Sequence, residues 1–166
     1  MRLLILGATG MAGERLVEMA LDRGHQVTAF VRNPAKLKIE HSNLSVVQGD
    51  ILEPDTIEPA FAQPVDAVLS TLGIFHREPR TELSDGTRNV LEAMARHQVN
   101  RIAVVSTIGA GETRGQGNLV ARLLQRFFLL HVIDDKNRQE KLLADSACAW
   151  TVVRPPQLTN ASHVCT

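Results

Sequence analysis

The sequence contains no tyrosine among its 166 residues. No phenol is therefore at hand as a general acid, whatever chemistry the chain supports. Cysteine is scarce as well. Cys148 and Cys165 are the whole complement, and neither has a Cys or His partner at the spacing of a metal site. Two isolated thiols read as free cysteines of a reducing compartment, not as a disulfide framework. An excess of charge is also missing: Lys plus Arg (18) equals Asp plus Glu (18). A protein that grips nucleic acid through its phosphates carries a basic surplus. No polybasic patch points to a membrane surface. The apolar start, Met1 to Leu6, is broken at Gly7, too soon for a signal peptide. The longest apolar cluster, Leu119 to Ile133, is interrupted by Arg122, Gln125, Arg126 and His131, which excludes a transmembrane helix. The expectation is a soluble, cytoplasmic protein with no metal, no nucleic acid and no membrane partner.

What is present is apolar residue in quantity, 44 % of the chain, enough for one substantial core. It comes in short runs: Arg2–Leu6, Gln26–Val31, Leu44–Gln48, Ala67–Leu72, Arg101–Ser106 and Thr151–Val153. Most are nearly continuously apolar, the pattern of parallel strands covered on both faces. Helical patterns lie between them. Met11–Asp22 ends near Gly24, a plausible C-terminal cap. Ser84–His97 carries Thr87, Val90, Leu91 and Met94 on one stripe. Asp134–Asp145 is polar on most faces and keeps Leu142 and Leu143 for packing. Strand alternating with helix predicts a single domain with a doubly wound parallel sheet in three α/β/α layers.

The first strand runs into Gly7-Ala8-Thr9-Gly10-Met11-Ala12-Gly13, which opens a helix. In that context each glycine has a job: a tight turn, a close approach of backbone to pyrophosphate, and close packing of helix on strand. The anion meets open N–H groups at the positive end of the helix dipole. This predicts a Rossmann-type NAD(P)-binding domain over residues 1–166, with Gly7, Thr9, Gly10, Met11 and Gly13 at the phosphates. An NAD site places an acid at the end of the second strand; here Val31-Arg32-Asn33-Pro34 has none. Arg32 suits a 2′-phosphate instead, which predicts NADP(H). Asp50 after the third strand is positioned to accept from the adenine amino group, or else to cap the following turn, and Ile51 to pack on the ring. Thr71, Leu72 and Gly73 end the fourth strand, where a small backbone can run under the cofactor.

Six segments together resemble the atypical branch of the short-chain dehydrogenase/reductase superfamily. They are Gly7–Gly13, Val31–Pro34, Gly49–Ile51, Ser84–Val90, Val104–Thr107 and Val153–Pro156. Within that branch the chain is similar to the NAD(P)H-binding proteins grouped with biliverdin-IXβ/flavin reductase and the nitrogen-metabolite-repressor-like proteins. Most superfamily reductases use a Tyr-x-x-x-Lys pair. Lys141 stands where the lysine would fall, but Asn137 occupies the tyrosine position and cannot act as an acid. The resemblance implies that NADPH supplies the hydride to an easily reduced ring, which needs positioning more than a proton donor. It places Ser106 and Thr107 nearest the nicotinamide and substrate, and Lys141 at the nicotinamide ribose.

His76 and Arg77 fall in the loop on the substrate side, the histidine more often exposed than catalytic in such a place. Val120, Leu123, Leu124, Phe127 and His131 form an apolar stripe that suits core packing, a pocket roof or a dimer contact. Asp134 and Asp135 open the helix bearing Lys141 and are assigned no chemistry. Related proteins continue for roughly another 40 residues, within the usual spread of domain size. Thr159 to Thr166 reads as neither strand nor helix, so the substrate-side elements are expected to be missing, and a bared sheet edge predicts either self-association, as in a homodimer, or lower stability than the longer relatives. The expected function is an NADPH-dependent reductase of flavin-like or quinone-like acceptors. The alternative is a non-catalytic NADP(H)-binding redox sensor or regulatory module. An isomerase or epimerase holding NAD is disfavoured by Arg32 and the missing tyrosine.

Overall fold

The run Arg2–Leu6 becomes strand β1, and its two faces explain why it lies inside the sheet. Leu4 and Leu6 join one core with Phe30, Val68, Ile102 and Val104. Leu3 and Ile5 join another with Val17, Leu21, Val27 and Ala29. The computed structural model describes residues 1–73, 80–107, 110 and 130–155. After β1 come α1 (Met11–Asp22), β2 (Gln26–Val31), β3 (Leu44–Gln48), α2 (Pro54–Ile57) and β4 (Ala67–Ser70). These are followed by α3 (Glu82–Arg96), β5 (Arg101–Val105), α4 (Leu130–Ala144) and β6 (Ala149–Val153). The six strands pair in the order β3-β2-β1-β4-β5-β6, all parallel.

Helix α1 supplies Val17, Ala20 and Leu21 to one core. The other face is covered by Ile57 of α2, by Val90, Ala93 and Met94 of α3, and by Leu143 of α4. Two cores on opposite faces of one parallel sheet make the three-layer Rossmann-type α/β architecture. The strand order reverses direction between β1 and β4, so the crevice at their carboxyl ends is the switch point where such sheets take ligands. Among the described residues no helix is long and apolar enough to cross a membrane.

The first three strands and α1 have the bounds expected from their apolar runs. Later elements differ by a few residues. Strand β4 stops at Ser70, paired with Leu6, because its neighbour β1 turns away at Gly7 (φ +80°); the Thr71 hydroxyl follows the turn and donates to the carbonyls of Leu6 and Gly7. Among the described residues helix α4 already runs from Leu130, ahead of the Asp134–Asp135 pair expected to open it. His76, Arg77, the stripe from Val120 to Phe127 and residues 156–166 lie outside the described residues.

Helices α1 and α3 end in the same local device. After α1, Gly24 takes φ +75° while Gly24 N–H bonds to Leu21 O (2.8 Å) and His25 N–H to Ala20 O (3.0 Å). This is a Schellman closure, and glycine fills its left-handed position without strain. After α3, Gln98 N–H bonds to Ala95 O (3.3 Å) and Val99 N–H to Met94 O (2.8 Å), but the left-handed residue is Gln98, at φ 58°. A side chain there carries a steric penalty that glycine escapes. Gln98→Gly is therefore expected to stabilise the fold by roughly 0.5–1 kcal/mol after glycine's larger unfolded-state entropy is counted. Urea unfolding of the two proteins side by side measures this, and a loss of stability would contradict it.

Candidate functional site

At the carboxyl ends of the strands the backbone leaves β1 at Gly7 with φ +80°. A Cβ there would lie 2.9 Å from Thr71 Oγ1 and 3.1 Å from Leu72 N, so both conformation and space demand glycine. Gly10 N–H closes the turn on Gly7 O at 3.0 Å. Gly13 is buried one turn into α1, where any Cβ would collide with the Gly7 carbonyl. Gly10 is the N-cap of α1 and no side chain caps the helix. The N–H groups of its first turn are thus left open, with the positive end of the dipole behind them.

Helix α3 ends differently at the same edge of the sheet. The buried Asp135 carboxylate accepts the N–H groups of Leu83 (3.0 Å) and Ser84 (3.2 Å), capping α3 from another helix. One helix N-terminus is open to an anion and its neighbour is already occupied by one.

A cleft of about 510 Å³ extends from the glycine turn. It brings together Gly7, Thr9, Gly10, Arg32, Asp50, Ile51, Thr71, Leu72 and Gly73. Of the other expected residues, Gly13 packs beneath the turn, and Met11 is 69 % exposed and does not line the cleft. Arg32 stands exposed at the end of β2. Asn33 Oδ1 accepts from Ala35 N–H at 3.1 Å, capping the short Pro34–Lys36 turn, and Lys36 joins Arg32 along the lining. Asp50 lines the cleft while its Oδ1 accepts from Leu52 N–H at 3.0 Å, so part of its capacity goes to the local turn. Ile51 is buried against Gly86 of α3 with one edge on the cleft.

Ser106, Thr107 and Lys141 are not among the cleft's lining residues. Ser106 is buried past the end of β5 and its hydroxyl donates to Glu140 Oε1 at 2.6 Å. Arg154 grips the same carboxylate through Nε (3.1 Å) and Nη2 (2.6 Å). Burial pushes the Glu140 carboxyl up, but the hydrogen bonds from Arg154 and Ser106 and the charges of Arg154 and Lys136 outweigh it and hold it below its usual value. Thr107 is half-buried, and its carbonyl accepts from Ala110 N–H at 3.3 Å.

Lys141 points to solvent. The lysine at the strand ends is Lys136, five residues earlier and only 4 % exposed. Its ammonium donates to the carbonyls of Leu72 (3.0 Å) and Val105 (2.8 Å) and to Gln139 Oε1 (3.3 Å). Gln139 in turn donates to Thr87 Oγ1 at 2.9 Å. Lys136 thereby ties β4 to β5 just beyond their last paired residues. Asp135, Lys136, Gln139, Glu140, Lys36 and Arg80 were all missed from the sequence. The signal available was the spacing 135, 136, 139, 140, 143, a core stripe written mostly in polar residues.

Burial pushes the Lys136 ammonium down from 10.5 to about 8, although the Asp135 and Glu140 charges favour its protonated form. Between these two values the unfolded chain holds the proton and the native chain has released it. Stability contributed by this group therefore rises with pH across that window. The wild-type protein is expected to gain on Lys136→Met by up to about 3 kcal/mol from pH 8 to 10.5. Urea midpoints of both proteins along a pH series check this; parallel curves would mean that Lys136 titrates as an ordinary lysine.

The model of the family described as NAD(P)H-binding matches residues 7–164 of the chain. An uncharacterised chloroplastic protein of Arabidopsis thaliana is 32 % identical over 170 residues, covering 96 % of this chain and 60 % of the relative. The photosystem II assembly factor Ycf39 of Synechocystis is 26 % identical over 158 residues, covering 93 % of this chain and 44 % of the relative. The chain thus spans less than two thirds of either relative's length. Among solved structures, the anaerobilin reductase ChuY of Escherichia coli O157:H7 superposes with a TM-score of 0.77 at 21 % identity, over 93 % of this chain and 72 % of that one. A short-chain dehydrogenase/reductase of Veillonella parvula in complex with NADP gives 0.73 at 18 %, over 92 % and 68 %. At these identities the likeness is one of fold. With the match running over nearly its whole length, the chain belongs to the NAD(P)H-binding family.

Proposed function

We propose that the chain is an NADPH-dependent reductase of flavin-like or quinone-like acceptors. One observation carries the reading: the cleft joins an uncapped helix N-terminus to a cationic pair, Arg32 and Lys36, with no acid at the end of β2. The Gly7–Gly13 turn suits a pyrophosphate, which would meet the open N–H groups at the start of α1. Arg32 and Lys36 suit the 2′-phosphate that distinguishes NADP from NAD. Asp50 and Ile51 flank the adenine in this arrangement. The backbone of Thr71, Leu72 and Gly73, held by Lys136, forms the floor toward β5.

The bound cofactor supplies the hydride. The chain's own part is to bind, orient and exclude water. Ser106 and Thr107, past the end of β5, are its nearest polar groups to the nicotinamide. The Ser106 proton is committed to Glu140 and the ammonium of Lys136 to three acceptors. With no tyrosine anywhere in the sequence, this favours an acceptor whose reduction needs no proton from the protein, such as an isoalloxazine or quinone ring. The same spent protons favour the second reading, a redox sensor that binds NADP(H) without turning it over.

Loss of absorbance of NADPH with FMN or a small quinone as acceptor separates the two; binding without oxidation selects the sensor. Arg32→Gln is expected to weaken NADPH about tenfold, the loss of one charge-assisted contact, and to leave NADH unchanged. Equal weakening of both nucleotides, followed by nicotinamide fluorescence, would remove Arg32 as the 2′-phosphate reader.

A further inference from the structure

A third cation lines the same cleft, from a different element than Arg32 and Lys36. Arg80 precedes α3, and its guanidinium Nη1 bonds Glu82 Oε1 at 2.9 Å, with both residues on the lining. The backbone at this point is fixed. The Arg80 carbonyl accepts from Arg138 Nη2 at 2.7 Å, and the next carbonyl, of Thr81, accepts from Ser84 Oγ at 3.0 Å and Asp85 N–H at 2.7 Å. The side chains are open to solvent: Arg80 is 47 % and Glu82 34 % exposed. A half-exposed ion pair of this kind contributes little and is easily exchanged.

Arg80 lines one cleft with Gly7, Gly10 and Thr71, and the Thr71 hydroxyl is bonded to the Gly7 carbonyl of the glycine turn. Arg80 reaches this cleft from the start of α3, whereas Arg32 and Lys36 reach it from the end of β2. The N-terminus of α3, which would otherwise present its own N–H groups here, is closed by Asp135. Of the cations on the lining among the described residues, Arg80 is the one carried at the start of α3.

We propose that Arg80 reads the dinucleotide's pyrophosphate, and that Glu82 occupies it in the ligand-free chain and is exchanged for phosphate on binding. The inference rests on the dinucleotide reading of the cleft. No covalent step is involved, only the transfer of one guanidinium from a carboxylate to a phosphate. Because Glu82 is left beside an anion after the exchange, it opposes binding, and Arg80 is what overcomes it.

The test is titration of NADPH and NADH into wild type, Arg80→Gln, Glu82→Gln and the double variant, with melting curves to establish that each is folded. Arg80→Gln is expected to weaken both nucleotides alike, by roughly fivefold to tenfold, since the pyrophosphate is common to them. Glu82→Gln is expected to tighten both about twofold to fivefold, and the double variant to recover part of the Arg80 loss. Weakening of NADPH alone would assign Arg80 to the 2′-phosphate and overturn the proposal. A Glu82→Gln that binds more weakly would make Glu82 a support for Arg80 and overturn the exchange. Unchanged affinity in Arg80→Gln overturns the whole inference while leaving the cofactor reading standing. A wild-type chain that binds neither nucleotide would instead remove the cofactor reading, and this inference with it.

Discussion

The carboxyl edge of the sheet depends on burying a charged helix face. Helix α4 turns Asp135, Lys136, Gln139 and Glu140 inward, each at most 9 % exposed, toward strand ends and a neighbouring helix. Charges withdrawn from water are costly unless each finds its partners. Here each does: Asp135 on the α3 N-terminus, Lys136 on the Leu72 and Val105 carbonyls, Glu140 between Ser106 and Arg154. Among the described residues no buried side-chain polar atom lacks a hydrogen bond. Such a network is directional where an apolar face is not. It sets where α3 begins, how far apart the ends of β4 and β5 lie, and where the chain goes after β6.

The same interaction divides the labour around the switch point. Two helices present N-termini there. Asp135 neutralises one, so the dipole of α3 is spent within the protein, while α1, capped only by Gly10, keeps its own available. The glycine turn then occupies the exposed end and α4 the interior. A network whose N–H and O–H groups are all engaged makes a rigid wall, and none of its α4 members lines the cleft. Positioning and proton donation draw on the same N–H and O–H groups, and this fold has used them for positioning.

Most of the architecture could be read in the residues because apolar runs buried on both faces have few alternative placements. The bounds of β1, α1, β2 and β3 follow from runs ended by Gly7, Gly24, Asn33 and Gly49. The α4 face was not legible for a physical reason. A polar stripe reads as solvated unless its partners are known, and those partners, Leu83 and Ser84, lie about fifty residues away in the chain. Lys141 illustrates the same limit. Its expected place came from a Tyr-x-x-x-Lys spacing with no tyrosine to anchor it, so nothing in the local pattern separated Lys141 from Lys136. Ser106 was placed correctly at the end of β5 by its run, but its commitment to Glu140 is a tertiary fact.

Formal neutrality, which argued against a polyanion-binding surface, conceals a local polarity. The cleft is lined by Arg32, Lys36 and Arg80 against Asp50 and Glu82. Both carboxylates are engaged, Asp50 by the Leu52 N–H and Glu82 by Arg80. Among the described residues no carboxylate pairs with Arg32 or Lys36. Walls of low dielectric concentrate the field of unpaired charges inside a concave site. The end of β2 is therefore the strongly positive region, with the α1 dipole adding to it from behind the turn. A ligand carrying anionic groups at two separated points matches this distribution better than one with a single charge. On the proposed reading this distribution suits a phosphorylated dinucleotide, without the basic surplus a nucleic-acid binder needs.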